Sequence, residues 1–137
     1  MIDAENVIYT RIATALRAAY PTIFVTGEIV AAPPSFPAAG IVEMDNSTLA
    51  KSQTIEAKEN HATLMYQVDV YSNKTSGKKT ECKSIITVID DGFAKMGFTR
   101  TFLNPTPNLE DASIYRMTGR YRGIIGQDGR VYRRFRK

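Results

Sequence analysis

The spacing of apolar residues predicts two amphipathic helices. Residues 3–20 carry apolar side chains at intervals of three and four, which places them on one face of a helix. Asp3 is suited to cap this helix, and Pro21 ends it because the residue before a proline avoids helical backbone angles. Residues 78–96 predict the second helix, which Gly97 is placed to end. The predicted apolar faces are Ile8, Ile12, Leu16 and Ala19 in the first helix and Cys82, Ile85, Ile86, Ile89 and Phe93 in the second.

Other segments alternate apolar with polar positions or are rich in β-branched residues, which predicts strands. The last two of these segments flank Asp128 and Gly129, a dipeptide that strongly favours a β-hairpin. The predicted strands are residues 22–31, 39–45, 62–72, 98–103, 112–126 and 130–135. We therefore expect an α+β fold, a mainly antiparallel sheet with two helices packed on it, in the order α-β-β-β-α-β-β-β.

Two segments between the predicted strands are expected to be loops. Residues 32–37 hold three prolines, which cannot supply the donors that a central strand needs. Residues 45–60 are mostly polar and follow no steady period, which predicts a long loop. Because this loop lacks apolar residues to offset the entropy of ordering, we expect it to be mobile in a free monomer and ordered in an assembly.

Length and composition indicate one soluble globular domain spanning residues 1–137. The chain is 43% apolar and 23% charged, and its length supports one core rather than two ordinary domains. No apolar run approaches the ~20 residues that a membrane span needs. The first residues include acids where a secretion signal is basic, so no such signal is expected.

The charge of the chain is unevenly distributed. Residues 113–137 hold eight basic residues and one acidic residue, which gives a net charge of +7. The other 112 residues hold ten basic and thirteen acidic residues, which gives a net charge of −3. Such asymmetry indicates that one surface meets an anionic partner, either nucleic acid or an acidic patch on a protein.

Residues that usually carry catalysis or bind metals are few. The single cysteine, Cys82, falls in a helical pattern and is expected to be a buried thiol, and the single histidine, His61, cannot build a structural zinc site alone. Residues 77–80, Gly-Lys-Lys-Thr, lack the earlier glycine and the adjacent hydroxyl that a phosphate-binding loop requires. Three acids of the second helix are expected to be solvated: Glu81, Asp90 and Asp91. We expect no catalytic, cofactor-binding or metal-binding residues, and therefore a structural or binding protein rather than an enzyme.

The most distinctive predicted surface is the arginine-rich face of the strand at 112–126. Alternation places its arginines on one face and most of its tyrosines on the other. A nucleic-acid-binding strand would place aromatic rings beside the arginines so that bases could stack. We therefore favour an arginine face turned to solvent or to another subunit. The candidate interface residues are Arg116, Arg120, Arg122, Arg133 and Arg134.

Several segments resemble the tail-terminator, or tail-completion, proteins of long-tailed bacteriophages. They are YQVDVYSNKTSGKKTE at 66–81, the helix that follows, GFTRTFLNPTPNLEDASIYRMTGRYRGII at 97–125, and the final hairpin strand. The stronger resemblance covers residues 62–134. It implies a small α/β subunit that forms a ring, often a hexamer, on the head-proximal end of the tail tube. Such a ring stops tube growth, contacts the tail-tube protein and joins the head connector or head-closure protein. The implied location is the virion, assembled in the host cytoplasm.

Three alternatives remain open at the level of sequence. The loops at 32–37 and 45–60 would also suit a neighbouring neck component, such as a head-closure or head-tail joining protein. The +7 segment and seven tyrosines would suit a nucleic-acid-binding module, and passing contact with DNA is compatible with a neck position. A small-molecule enzyme would need an apolar pocket with a titratable group of shifted pKa.

Overall fold

The computed structural model describes residues 3–28, 33–48, 61–107, 113–126 and 131–132. Within these residues the chain forms two helices and six strands, in the order predicted from the sequence. The α+β fold is therefore confirmed. In chain order the elements are α1 (Glu5–Ala19), β1 (Phe24–Thr26), β2 (Ala38–Thr48), β3 (His61–Ser72), α2 (Lys78–Lys95), β4 (Thr99–Pro105), β5 (Tyr115–Gly126) and β6 (Val131–Tyr132).

The strands form one sheet in which most pairs are antiparallel, as predicted. Across the described residues the strand order is β1-β2-β3-β5-β4, and β6 pairs with β5. β1 runs parallel to β2, and the other pairs are antiparallel. β4 begins opposite Arg122, and β6 lies opposite Ile124 and Ile125, so β6 continues the edge that β4 starts. The sheet therefore has a β1 flank on one side and a β4 flank on the other.

The helix α1 packs its apolar face against α2 and the sheet. Ala19 was predicted to lie on this face but is exposed, because it is the last helical residue before the turn at Pro21. Ala13 is buried instead, since it lies between the rows of larger side chains. Gly92 permits a close approach of α2, because a Cβ atom there would lie 2.8 Å from Cδ1 of Ile12. The buried residues that were predicted correctly are Ile8, Ile12 and Leu16.

The helix α2 buries the whole of its predicted stripe and ends at the predicted glycine. Gly97 has a φ of 89°, a left-handed conformation that glycine adopts without a Cβ clash. The amide of Gly97 donates to the carbonyl of Ala94 and that of Phe98 to the carbonyl of Phe93, each at 2.9 Å. These two bonds satisfy carbonyl groups that a helix end leaves without partners. The buried stripe consists of Cys82, Ile85, Ile86, Ile89 and Phe93.

An aromatic cluster joins α2 to the centre of the sheet. Phe93 of α2 stacks on Tyr121 of β5, with ring centroids 4.4 Å apart and planes 11° apart. The ring centroid of Tyr66, on β3, lies 5.8 Å from that of Phe93. Phe98 packs edge-on against the rings of Tyr66 and Phe93. All four residues are buried, so the covered face of the sheet is a packed apolar core.

The polar segment predicted as a loop at 45–60 begins later than expected. β2 extends to Thr48, and its residues from Asp45 onward pair with β3 at Met65 to Ala62. A bulge at Met44 shifts the register between Glu43 and Asp45, which lets a polar sequence continue the ladder. The rest of the segment, residues 49–60, lies outside the described residues. The predicted hairpin turn at Asp128-Gly129 also lies outside them, although β5 and β6 pair as that hairpin requires.

Candidate functional site

The helices leave one face of the sheet uncovered, and β5 exposes arginines there. Met117 and Tyr121 are buried on the covered face, whereas Arg120 and Arg122 are exposed on the other. The division of β5 into an apolar core face and an arginine face is therefore confirmed. Of the other candidate interface residues, Arg116 is half-buried on the uncovered face. Arg133 and Arg134 lie outside the described residues.

Arg116 is engaged within the monomer. Its Nε and Nη2 atoms each lie 3.0 Å from Oδ1 of Asp69, on the neighbouring strand β3. The hydroxyl of Thr118 donates to the same oxygen at 2.6 Å and lies 2.7 Å from the hydroxyl of Thr106. Gln67 donates to the other carboxylate oxygen of Asp69 at 3.2 Å. This network compensates the charge of an almost fully buried carboxylate, so Arg116 has a structural role.

Arg120 and Arg122 form the accessible part of the arginine face. Nε of Arg120 donates to Oε1 of Gln67 at 3.1 Å, and its guanidinium carbon lies 5.2 Å from the ring centroid of Phe102. Arg122 lies between Met65 of β3 and Thr99 of β4 in the sheet register. Within the described part of the chain, Arg122 has no ion pair. We call Phe102, Arg120 and Arg122 the basic strip.

The aromatic neighbour of Arg120 was not foreseen from the sequence. Phe102 is 36% exposed and comes from β4, so alternation along β5 alone could not place it beside an arginine. A bulge between Arg100 and Phe102 shifts the register of β4 and brings Phe102 opposite Arg120. A second such contact joins Arg116 to Tyr71, with 5.6 Å from the guanidinium carbon to the ring centroid.

The end of this face near Arg116 is closed by a small apolar cluster. Tyr71, Ala38 and Ile114 are buried there, and Phe24 and Phe36 pack against them while remaining partly exposed. The basic strip lies further along β5, away from this cluster. Among the described residues, the part of this face that stays exposed is therefore the half of the sheet that carries Arg120 and Arg122.

Acidic side chains gather at the β1 flank, opposite the basic strip. Oδ1 of Asp3 accepts a hydrogen bond from the amide of Glu5 at 3.2 Å, at the start of α1. Glu43 of β2 accepts a hydrogen bond from the hydroxyl of Tyr66 at 2.8 Å. Burial raises the pKa of Glu43, the bond from Tyr66 lowers it, and the charges of Glu5 and Asp3 raise it further. These carboxylates therefore share one region of negative potential.

A shallow hollow beside these acids is too small for a typical ligand. It measures about 200 Å³, and Glu5, Tyr9, Gly27 and Ile41 are among its lining residues. Ligand pockets usually exceed about 300 Å³ and enclose most of the ligand. Glu28 is exposed and directly follows the lining residue Gly27 in the chain. We call Asp3, Glu5, Glu28 and Glu43 the acidic patch.

The Gly-Lys-Lys-Thr segment begins α2, and polar contacts join this end of the helix to β3. Gly77 has a φ of 82°, and α2 starts at the next residue. Glu81, predicted to be solvated, instead accepts a hydrogen bond from Ser72 at 2.6 Å and pairs with Lys74 at 3.5 Å. These contacts tie the first turn of α2 to the end of β3, which is a structural arrangement.

Asp90 is also engaged, contrary to the prediction from sequence. Its Oδ1 atom lies 3.1 Å from Nη1 of Arg100 and accepts a hydrogen bond from the hydroxyl of Tyr121 at 3.2 Å. Burial, followed by the charge of Asp90, raises the pKa of Tyr121. Asp91 is exposed as predicted. The sequence missed these contacts because the partners lie on β4 and β5, ten or more residues away in the chain.

The thiol of Cys82 is buried, as predicted. It is 0% exposed, and it lies 3.7 Å from the carbonyl oxygen of Val70 and 3.8 Å from that of Tyr115. Burial, with a smaller contribution from Glu81, raises its pKa to about 12. A thiol held in its protonated form is a poor nucleophile.

No protein-family model matches this chain, and no curated protein matches it. Across the residues that the structure describes, no group of three or more His, Cys, Asp or Glu side chains could hold a metal ion. No helix within that part of the chain is long and apolar enough to cross a membrane.

Proposed function

We propose that this protein is a structural component of a bacteriophage virion, a tail terminator that forms a ring at the head-proximal end of the tail tube. It stops growth of the tube and joins the tail to the head connector or head-closure protein. It acts through surface contacts, without catalysis or a cofactor. The observation that carries this proposal is the uncovered sheet face with its exposed basic strip, Phe102, Arg120 and Arg122.

Two features of this face support a role in assembly. Most antiparallel sheets that face water on one side show polar residues there, but here an aromatic ring lies beside arginines. Arginines and aromatic residues are enriched in protein interfaces, where apolar contacts hold the complex and charges orient it. The resemblance of residues 62–134 to tail-terminator proteins supplies the particular assembly.

Growth of the tail tube in vitro tests the proposal. Tube protein of the same phage is allowed to polymerise with increasing amounts of the purified protein, and tube lengths are measured by electron microscopy. We expect shorter tubes as the ratio rises, with extra density at one end of each tube. An unrelated basic protein of similar size serves as the control. Unchanged lengths and bare tube ends would reject the terminator function.

A neighbouring neck component is the closest alternative. A head-closure or head-tail joining protein would bind the head connector and leave growth of the tube unaffected. The same length assay, repeated with purified connector in a pull-down, separates the two. Binding to the connector without an effect on tube length would favour the alternative.

A nucleic-acid contact is a second candidate, and one observation favours it. The ring of Phe102 beside the guanidinium of Arg120 is an arrangement on which a base could stack while a phosphate is paired. Binding to single-stranded DNA would then weaken steeply with rising salt. Replacing Phe102 with Ala should weaken that binding about fivefold or more if the ring stacks on a base, since such stacking contributes roughly 1–3 kcal/mol.

A further inference from the structure

The charged surfaces lie on opposite flanks of the sheet. The basic strip belongs to β5 and β4, which end the strand order β1-β2-β3-β5-β4. The acidic patch belongs to β2, the residues after β1, and the start of α1. Two strand spacings, about 10 Å at the usual ~4.8 Å per strand, separate β2 from β5, which carries both arginines. Glu43 bonds to the core residue Tyr66 on the helix-covered side of the sheet, whereas Arg120 and Arg122 lie on the opposite face. A single copy therefore cannot neutralise one surface with the other.

Each flank also exposes large apolar side chains beside its charges. Among the described residues, the large hydrophobic side chains that are exposed are Val7 at 58%, Met44 at 48% and Phe102 at 36%. Val7 lies in the first turn of α1, close in the chain to Asp3 and Glu5, and Met44 follows Glu43 at the bulge of β2. Phe102 lies against Arg120. Apolar anchors surrounded by charge are the usual composition of a protein interface.

We propose that the acidic patch of one copy, with Val7 and Met44, binds the basic strip of the next copy. This inference rests on the ring of the proposed function and names the surfaces that form it. The contact joins two different surfaces, so each copy keeps one of each surface free for a further neighbour. Repeated contacts of this kind close into a ring when the rotation between copies permits.

Charge reversal on each flank tests the contact. One variant carries Arg120→Glu and Arg122→Glu, and a second carries Glu5→Lys and Glu28→Lys, all at exposed side chains. Sedimentation and native mass should show each variant mainly as a monomer, with an apparent dissociation constant raised about tenfold or more. The matched control for the first variant is Lys79→Glu with Lys83→Glu, which makes the same charge change on α2. We expect the control to assemble as the original protein does.

Mixing the two variants gives the decisive result. The reversed strip of one variant then faces the reversed patch of the other, and the two unchanged surfaces also face each other. We expect the mixture to restore assemblies in which the variants alternate. Restored dimers in place of larger assemblies would overturn the head-to-tail contact, because they indicate a two-fold interface. Failure of the mixture to assemble, with both variants folded by circular dichroism, would also overturn it.

The outcome for this contact is separable from the outcome for the proposed function. If the original protein shortens tail tubes and both variants do so equally well, the terminator function stands and the contact is wrong. If the original protein assembles and the mixture is restored, but tube length is unaffected, the contact stands and the terminator function is wrong. An original protein that stays a monomer, alone and with tubes, contradicts the contact.

Discussion

Asp69 and Arg116 form an ion pair across β3 and β5, on the face of the sheet opposite α1 and α2. Two nitrogen atoms of Arg116 each lie 3.0 Å from one carboxylate oxygen of Asp69. The side chain of Arg116 is 24% exposed and that of Asp69 is 9% exposed. Arg116, a candidate interface residue, therefore stabilises the monomer. Variants that probe assembly should therefore change Arg120 and Arg122 and retain Arg116.

Replacement of Arg116 with Met should destabilise the monomer. The change leaves the buried carboxylate of Asp69 without its cation, which costs roughly 1–3 kcal/mol. Urea unfolding followed by circular dichroism measures this loss. Arg122→Met is the matched control and should change the free energy of unfolding by less than about 0.5 kcal/mol, because Arg122 is exposed. Equal losses in the two variants would show that the ion pair adds nothing to stability.

Replacement of Ile89 with Ala should lower the free energy of unfolding by roughly 2–5 kcal/mol. Ile89 is 0% exposed in the stripe of α2, so the change leaves a cavity against the sheet. Val7→Ala, at an exposed position of α1, is the control and should have little effect on the monomer. A loss below about half a kcal/mol for Ile89→Ala would contradict the packing of α2.

The thiol of Cys82 should resist modification in the folded protein. Its pKa of about 12 leaves almost no thiolate at pH 8, and the sulfur is buried. A thiol reagent should therefore label native protein at the rate of unfolding and label urea-unfolded protein at once. Immediate labelling of native protein, with circular dichroism unchanged, would place Cys82 at the surface and contradict this account.

The stability of the monomer should respond to the titration of Glu43. Its pKa is raised above the ordinary value of 4.5, so the folded state binds this proton more tightly than the unfolded chain. Ionisation of Glu43 therefore lowers the stability of the folded state at pH values above its raised pKa. This loss disappears as the pH falls below the ordinary value of 4.5. Glu43→Gln should stabilise the monomer near neutral pH, by an amount that shrinks as the solution is acidified.

Urea unfolding of the monomer between neutral and acidic pH measures this difference. The exposed substitution Asp91→Asn is the control and should change stability by less than about 0.5 kcal/mol. A difference between Glu43→Gln and the original protein that stays constant across this range would contradict the proposed cause. A larger gain at acidic pH would do so as well.

Local sequence patterns were sufficient to predict the helices and strands, but not where every strand ends. The helical stripe from Cys82 to Phe93 and the turn at Gly97 could be read directly, because spacing and glycine determine them locally. The extension of β2 to Thr48 could not, since polar residues join a strand there through pairing with β3. Tertiary pairing overrides weak local preference in such segments.

The sequence predicted which face of β5 carries the arginines, but not which residues of the neighbouring strands contact them. Alternation placed Arg120 and Arg122 on one face, and the structure agrees. The partners of those arginines come from neighbouring strands, and their positions depend on register and on the bulge before Phe102. The pairing of Arg116 with Asp69 is of the same kind. Alternation determines which face a residue occupies, but its partner on a strand distant in the chain depends also on turn geometry and bulges.

Salt should weaken the proposed contact between copies, because charges orient such a contact. Exposed charges are screened over a Debye length of about 8 Å at physiological ionic strength, and over about 3 Å at 1 M. Sedimentation of the original protein at rising salt should therefore show slower assembly and a higher apparent dissociation constant. Assembly that is unaffected or strengthened by salt would indicate a mainly apolar interface elsewhere.

The length of phage tails reports whether the protein stops growth of the tail tube. The proposed function places the gene in a phage genome. The gene is deleted there and supplied in trans as the control, and particles from infected cells are examined by electron microscopy. We expect tails that are abnormally long or fail to join heads, and recovery of normal particles on complementation. Tails of normal length that attach to heads without the protein would contradict the terminator function.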